Sequence, residues 1–310
     1  MVQIVQIKSS VLAAVSDKTG YVEARVQAEK LSQLSQENGL RVADMPMVIR
    51  AMTVHPEVRV AIRPDWIDTI TSEYHGLRGE DRSYEAWHSA GSLATVKGLE
   101  KLFSKVGNYS SMPVSDDEWV AVGNGVFNGQ AVVRMHLDDA RKGDVPAPGT
   151  PYSIFVRLDR DSPKINGRGR LDYDTFMQDD RVLMITGSPE GREALAKMLF
   201  GKKEDGGEGW VSVGSDHRIN EVGFDAQAKG RQAYLGSGDD GLFGSLRLSY
   251  LGRFVLVAPA GVEARENEAS SQSRLALNSA ELADFLKEQN PLLDRAALEQ
   301  QIKAYQSQRS

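Results

Sequence analysis

The chain has 310 residues, enough for about two domains with a sizeable core, and its 41% hydrophobic and 26% charged content is that of an ordinary globular protein. Thirty-seven basic residues against 43 acidic ones give a net charge of -6, so the chain as a whole has no counterion-release drive toward nucleic acid or anionic lipid. The absence of cysteine excludes disulfides, thiolate metal sites and a cysteine nucleophile, and sets the cytoplasm as the expected location.

No apolar run approaches the ~20 residues of a membrane span, so membranes are not expected partners. The N-terminus MVQIVQIKSSVLAAVSDK has its lysine after its first apolar residues, and its apolar stretch 11–15 is too short for a signal core. It reads as mature sequence.

The first third reads as mainly helical. Ala24, Ala28, Leu31 and Leu34 recur at helical spacing before Asn38 and Gly39; Asp65 can cap a helix carrying Trp66, Ile67 and Ile70; Val96, Leu99, Phe103 and Val106 form a stripe closed by Gly107 and Asn108. Beyond residue 119 the period becomes two. Asn128 and Gly129 form a hairpin signal ahead of Ala131, Val133, Met135 and Leu137, and Tyr152, Ile154, Val156 and Leu158 repeat the alternation. Val182, Leu183, Met184 and Ile185 read as a buried strand running through Thr186, Gly187 and Ser188 into a helix striped by Ala194, Leu195, Met198 and Leu199. Further strands are expected at 210–213, 246–250 and 254–257. After a polar stretch at 261–273, Asn278 and Glu281 form a capping-box variant, and two short amphipathic helices carry Leu282, Phe285 and Leu286, then Leu298, Ile302 and Tyr305.

The expected class is therefore α+β: a helical N-terminal third over 1–110, a β-rich core with a mixed or antiparallel sheet and one β-turn-α unit over 111–260, and a linker with a C-terminal helical pair over 261–310.

Four groups of residues invite a chemical reading. The turn formed by Thr186, Gly187 and Ser188 aims a helix N-terminus at one point, as an anion site does, with Arg192 as a supporting cation; Glu190 in the first turn opposes it, and no P-loop lysine is present. Lys164, Arg168 and Arg170, with Tyr173 as a stacking ring, form a candidate nucleic-acid contact flanked by Asp159, Asp161, Asp172, Asp174, Asp179 and Asp180. Those aspartates could ligate a hard cation, but the interleaved arginines favour a salt-bridged surface. His75 and His88 bracket a polar, aromatic stretch that would suit either a catalytic cleft or a charged loop.

Two familiar patterns fail. The G-x-G-x-x-G at 236–241 holds two aspartates and runs into a strand-like segment, so no dinucleotide is expected there, and no serine-hydrolase elbow exists. No histidine pair has helical zinc spacing. With no cofactor, metal or catalytic residue indicated, the first expectation is a non-enzymatic assembly subunit of a homo-oligomer or larger particle. The C-terminal residues Leu282, Phe285, Leu286, Leu298, Ile302 and Tyr305 would form its interface. A phosphate- or nucleotide-binding enzyme using the 186–192 turn, and a nucleic-acid-binding subunit, are the alternatives.

Overall fold

The structure, a computed structural model, describes residues 3–7, 10–15, 24–62, 66–95, 97–98, 100, 112–147, 149–165, 169–200, 211–215, 229–235, 241–245 and 252–257. All lie in the first of two compact units, Met1–Pro259; the second is Ala260–Ser310. The expected C-terminal helical pair, the loop of the G-x-G-x-x-G pattern, the strand expected at 246–250 and most of the Val96 to Val106 stripe fall outside the described residues.

In chain order the strands are β1 (Gln3–Ile7), β2 (Ser10–Val15), β3 (Arg41–Val42), β4 (Trp66–Arg78), β5 (Asp81–His88), β6 (Met112–Pro113), β7 (Val126–Phe127) and β8 (Gln130–Ala131). They continue as β9 (Val133–His136), β10 (Tyr152–Arg157), β11 (Gly169–Leu171), β12 (Val211–Ser215), β13 (Lys229–Leu235), β14 (Gly241–Ser245) and β15 (Gly252–Val257). The helices are α1 (Ala24–Asn38), α2 (Met45–Val54), α3 (Pro56–Ile62), α4 (Asp116–Gly123), α5 (Leu137–Lys142), α6 (Tyr173–Gln178), α7 (Asp180–Thr186) and α8 (Pro189–Phe200).

The fold is α+β with a mixed sheet. Its path runs β1-β2-β15-β4-β13-β14-β12-β11, and a second branch leaves β4 through β5 and β10 to β9. β4, 13 residues long, is the hub: it pairs antiparallel with β5 and β13 and parallel with β15. The turn at Asn128 and Gly129 joins β7 to β8 with positive φ at both residues (48° and 75°), as its sequence signals. β13 and β14 are antiparallel on either side of the G-x-G-x-x-G loop, so a strand, not a helix, follows it.

Among the described residues, the first third is not mainly helical. β1, β2, β4 and β5 lie in it, and the residues expected to form a helix capped by Asp65 open β4 instead. Trp66, Ile67 and Ile70 fit one helical face, but the chain over 66–78 is rich in Thr, Tyr and Trp and returns through the tight turn at Gly79, where pairing with β5 outweighs local helical spacing.

The second correction concerns Val182, Leu183, Met184 and Ile185, which form α7 rather than a strand. Asp179 caps this helix by accepting from the Val182 N–H at 2.9 Å, and Gly187 ends it in the left-handed conformation with φ 82°. Every residue of α7 is buried. Leu183 and Met184 meet β5 and β10 beside Tyr84, Ile154 and Val156, while Val182 and Ile185 join α2 and α8 around Ile49, Val48 and Leu195. A helix covered on all sides has no polar face to reveal its period. The opposite sheet face is sealed by α4, whose Trp119 and Val122 pack on Tyr74 and Trp87.

Candidate functional site

Two buried charge clusters tie the sheet to its covering helices. On the α7 side, the Arg181 guanidinium grips the Glu73 carboxylate of β4 with Nε donating at 2.6 Å and Nη2 at 3.0 Å; the Tyr84 hydroxyl also donates to Glu73. Arg181 and Glu73 are 1% and 3% exposed, so the pair is bidentate and dry. Burial pulls the guanidinium pKa down, but the Glu73 charge and its hydrogen bonds outweigh that and hold it above the ordinary value. Burial and the same carboxylate push the Tyr84 phenol up, keeping it protonated.

On the α4 side, the fully buried Glu85 accepts from Arg78 Nε (2.9 Å) and Nη2 (3.0 Å), Arg134 Nη2 (3.0 Å), Ser83 Oγ (3.2 Å) and Trp87 Nε1 (2.8 Å). Arg78 lies 3.7 Å over the Trp119 ring and donates to the Trp119 carbonyl. A Cβ at Gly123 would collide with that guanidinium, which explains the glycine at the end of α4.

His88 is held at both ring nitrogens. Nε2 lies 2.8 Å from the Met184 carbonyl, which can only accept, so the proton sits on Nε2 and Nδ1 accepts from Thr71 Oγ1 at 3.0 Å. Thr71 Oγ1 in turn accepts from the Met45 N–H. Burial lowers the His88 pKa to about 4, so the ring is neutral at pH 7. His75 lies in β4, is buried, and pairs across the sheet with Tyr84. The stretch between the two histidines is therefore a β-hairpin, and its Arg78, Ser83, Tyr84 and Glu85 side chains are tied within the fold.

The 186–192 turn joins α7 to α8 and lines a cleft of about 440 Å3 whose walls include Pro46, Ile49, Val145, Tyr152 and Ala194. Ser188 Oγ caps α8 by accepting from the Gly191 N–H at 2.9 Å, and the Arg192 N–H bonds the Ser188 carbonyl at 2.9 Å. Pro189 has no N–H, so within this first turn the Glu190 N–H alone is left for an outside ligand. Thr186 Oγ1 donates to the Val182 carbonyl at 2.8 Å. Arg192 turns beneath the helix toward the Asp179 carbonyl at 3.5 Å, where burial lowers its pKa against the opposing charges of Asp180 and Asp179. Thr186, Gly187 and Ser188 thus share the cleft wall, and Arg192 is not among its lining residues.

Of the basic group, Lys164 is exposed and its backbone N–H donates to Asp180 at 2.6 Å; Arg170 lies in β11, and Arg168 falls outside the described residues. Tyr173 is 42% exposed, with its ring edge-on to Phe200 at 5.6 Å. Five of the six neighbouring aspartates are engaged: Asp159 with Arg82, Asp161 with His136 (2.9 Å), Asp180 with Arg141 (2.7 Å), and Asp172 and Asp179 as helix caps. Sequence reasoning singled out neither the Glu73–Arg181 nor the Glu85–Arg78–Arg134 cluster as a unit, because their members come from separate elements.

This frame, a mixed sheet with helices on one face and α4 on the other, places the chain among α+β folds of a known type. It is similar to a solved chain described as "Accommodation of massive sequence variation in Nanoarchaeota by the C-type lectin fold", with a TM-score of 0.53 and 12% identity over 81% of this chain and 99% of that one. The likeness is one of fold. No protein-family profile and no curated protein matches the sequence.

Proposed function

We propose that the protein is a non-enzymatic interaction subunit that works by docking to copies of itself or to other proteins. The observation that supports this most directly is how the interior ionisable groups are used. Glu73, Arg181, Tyr84, Glu85, Arg78 and His88 are each engaged by partners from another element or from the facing strand. A group locked in such a pair stabilises a surface-bearing frame and is not poised to exchange a proton with a substrate. The similar fold is described as accommodating massive sequence variation, and a frame held from within is what would leave an exterior free to vary toward partners.

The contact surface in this reading is the C-terminal pair of stripes, Leu282/Phe285/Leu286 and Leu298/Ile302/Tyr305. The sequence pattern of each spans only two or three turns of an expected helix, and isolated helices below ~12–15 residues are marginal in water, so such segments would need a surface to cover. Native mass, measured by sedimentation or light scattering over a concentration series, should exceed the 34.0 kDa monomer. Replacing Phe285 and Ile302 by Glu in the full chain should return it to the monomer without loss of fold. A monomer at all concentrations, or an assembly indifferent to these changes, would remove the reading.

A further inference from the structure

We propose that the cleft between α2 and the α7–α8 junction is a binding site for a small, neutral, mostly apolar molecule bearing one hydrogen-bond acceptor, such as an aryl amide, with Tyr152 Oη as its donor. The inference rests on observations independent of the assembly reading.

The first is size and lining. At about 440 Å3 the space falls in the range of small-molecule sites, and Pro46, Ile49, Val145 and Ala194 give it carbon walls. The second is Tyr152, which lines the cleft and is 2% exposed. Its ring is fixed by stacking on His88 at 4.5 Å between centroids, and its hydroxyl has no hydrogen-bond partner among the described residues. The hydroxyl is not one of the buried polar atoms left without a partner, so it keeps an open side on the cleft that Tyr152 lines, where a ligand acceptor can take the place of water.

The third is Gly187. Its φ of 82° favours glycine, and a Cβ there would strike Tyr152 Oη and approach Pro46 Cγ to 2.7 Å. The missing side chain leaves room for the hydroxyl at the junction.

Charge selects a neutral ligand. Arg50 and Glu190, both exposed and opposite in sign, line the cleft together, so its lining carries no net charge. The α8 N-terminus, which would otherwise draw an anion, carries the Glu190 carboxylate and has its Gly191 donor occupied by Ser188. Burial and the charge of Asp44 hold the phenol protonated, and therefore a donor.

The test uses the full chain and acetanilide as probe, with binding followed by ligand-observed NMR. Saturable binding is expected. Tyr152→Phe, which keeps the ring stack, should weaken it about tenfold, the worth of one hydrogen bond. Thr53→Phe, introduced from the exposed face of α2, should block the cleft and abolish binding even if the Tyr152 variant proves unstable. Benzoate, matched in ring but anionic, should bind more weakly than acetanilide. No saturable acetanilide binding up to its solubility limit, equal affinity in the folded Tyr152→Phe protein, unchanged affinity with Thr53→Phe, or a preference for benzoate would each overturn the proposal.

Discussion

Stability should fall steeply as the pH drops from 6.5 toward 4, and His88 should be the reason. In the folded protein burial lowers its pKa from the ordinary 6.5 to about 4. Between those values the unfolded chain binds a proton at this residue and the folded one does not, so the stability due to neutral His88 is complete above 6.5 and lost as pH falls through the window. The slope approaches ~1.4 kcal/mol per pH unit and the full loss is roughly 3 kcal/mol, a large part of the 5–15 kcal/mol typical of a domain. Protonation would place a second N–H against the Thr71 hydroxyl, which already accepts from the Met45 N–H.

Urea unfolding followed by tryptophan fluorescence, with Trp87 fully buried on the other face of the same strand, measures this at pH 7, 6, 5 and 4.5. Asp44 shifts the other way: burial raises its pKa, so its penalty is relieved as pH falls below that raised value, partly masking the His88 loss near pH 4. The carboxylates with lowered pKa values, such as Asp159 and Asp172, lose their contribution only below the ordinary carboxylate range. His88→Gln retains a donor for the Met184 carbonyl but cannot titrate, so the difference between the two proteins isolates the histidine. The variant should start less stable and lack the slope between 6.5 and 4.5. An equal slope in both proteins would refute the argument.

Other outcomes follow from the same contacts. Glu73→Gln should cost ~3–5 kcal/mol by leaving the Arg181 charge buried and uncompensated, and the double replacement Glu73→Leu with Arg181→Met should cost less than the single changes added, in a urea double-mutant cycle. Ser188→Ala should cost ~1 kcal/mol through the lost cap on the Gly191 N–H, whether or not anything binds nearby. Gly187→Ala should cost ~1–3 kcal/mol, and Tyr152→Phe should recover part of that by removing one of the two colliding atoms; thermal melts of the single and double variants report it.

What was legible in the sequence was local. The Asn128–Gly129 hairpin, the alternation that buries Tyr152, Ile154 and Val156 in β10, the end of α1 at Asn38 and the start of α8 after Ser188 each depend on residues within a few positions, where turn chemistry and period are direct signals. β4 was not legible, because its apolar residues fit both periods and what decides between them is pairing with β5, β13 and β15, two of which lie more than a hundred residues away.

α7 matters most for the site, because three ties between the helical layer and the sheet pass through that one segment. Its Arg181 grips Glu73 of β4, its Met184 carbonyl accepts from His88 of β5, and the glycine that ends it admits the Tyr152 hydroxyl of β10. Read as a strand, residues 182–185 alternate between two faces and cannot present Arg181, Met184 and Gly187 to neighbouring strands. Read as a helix, Arg181 and Met184 fall about one turn apart and Gly187 closes its C-terminal end. The signal that separates the two is outside the apolar run: Asp179 at the N-cap and Gly187 after the last buried residue bracket two turns of helix as well as they bracket a strand and its turn. Asp179 stands in a run of aspartates and arginines that reads as a salt-bridged surface, and that context masks its role as a cap. The buried ion pair, the neutral histidine and the cleft were hidden together by that single assignment.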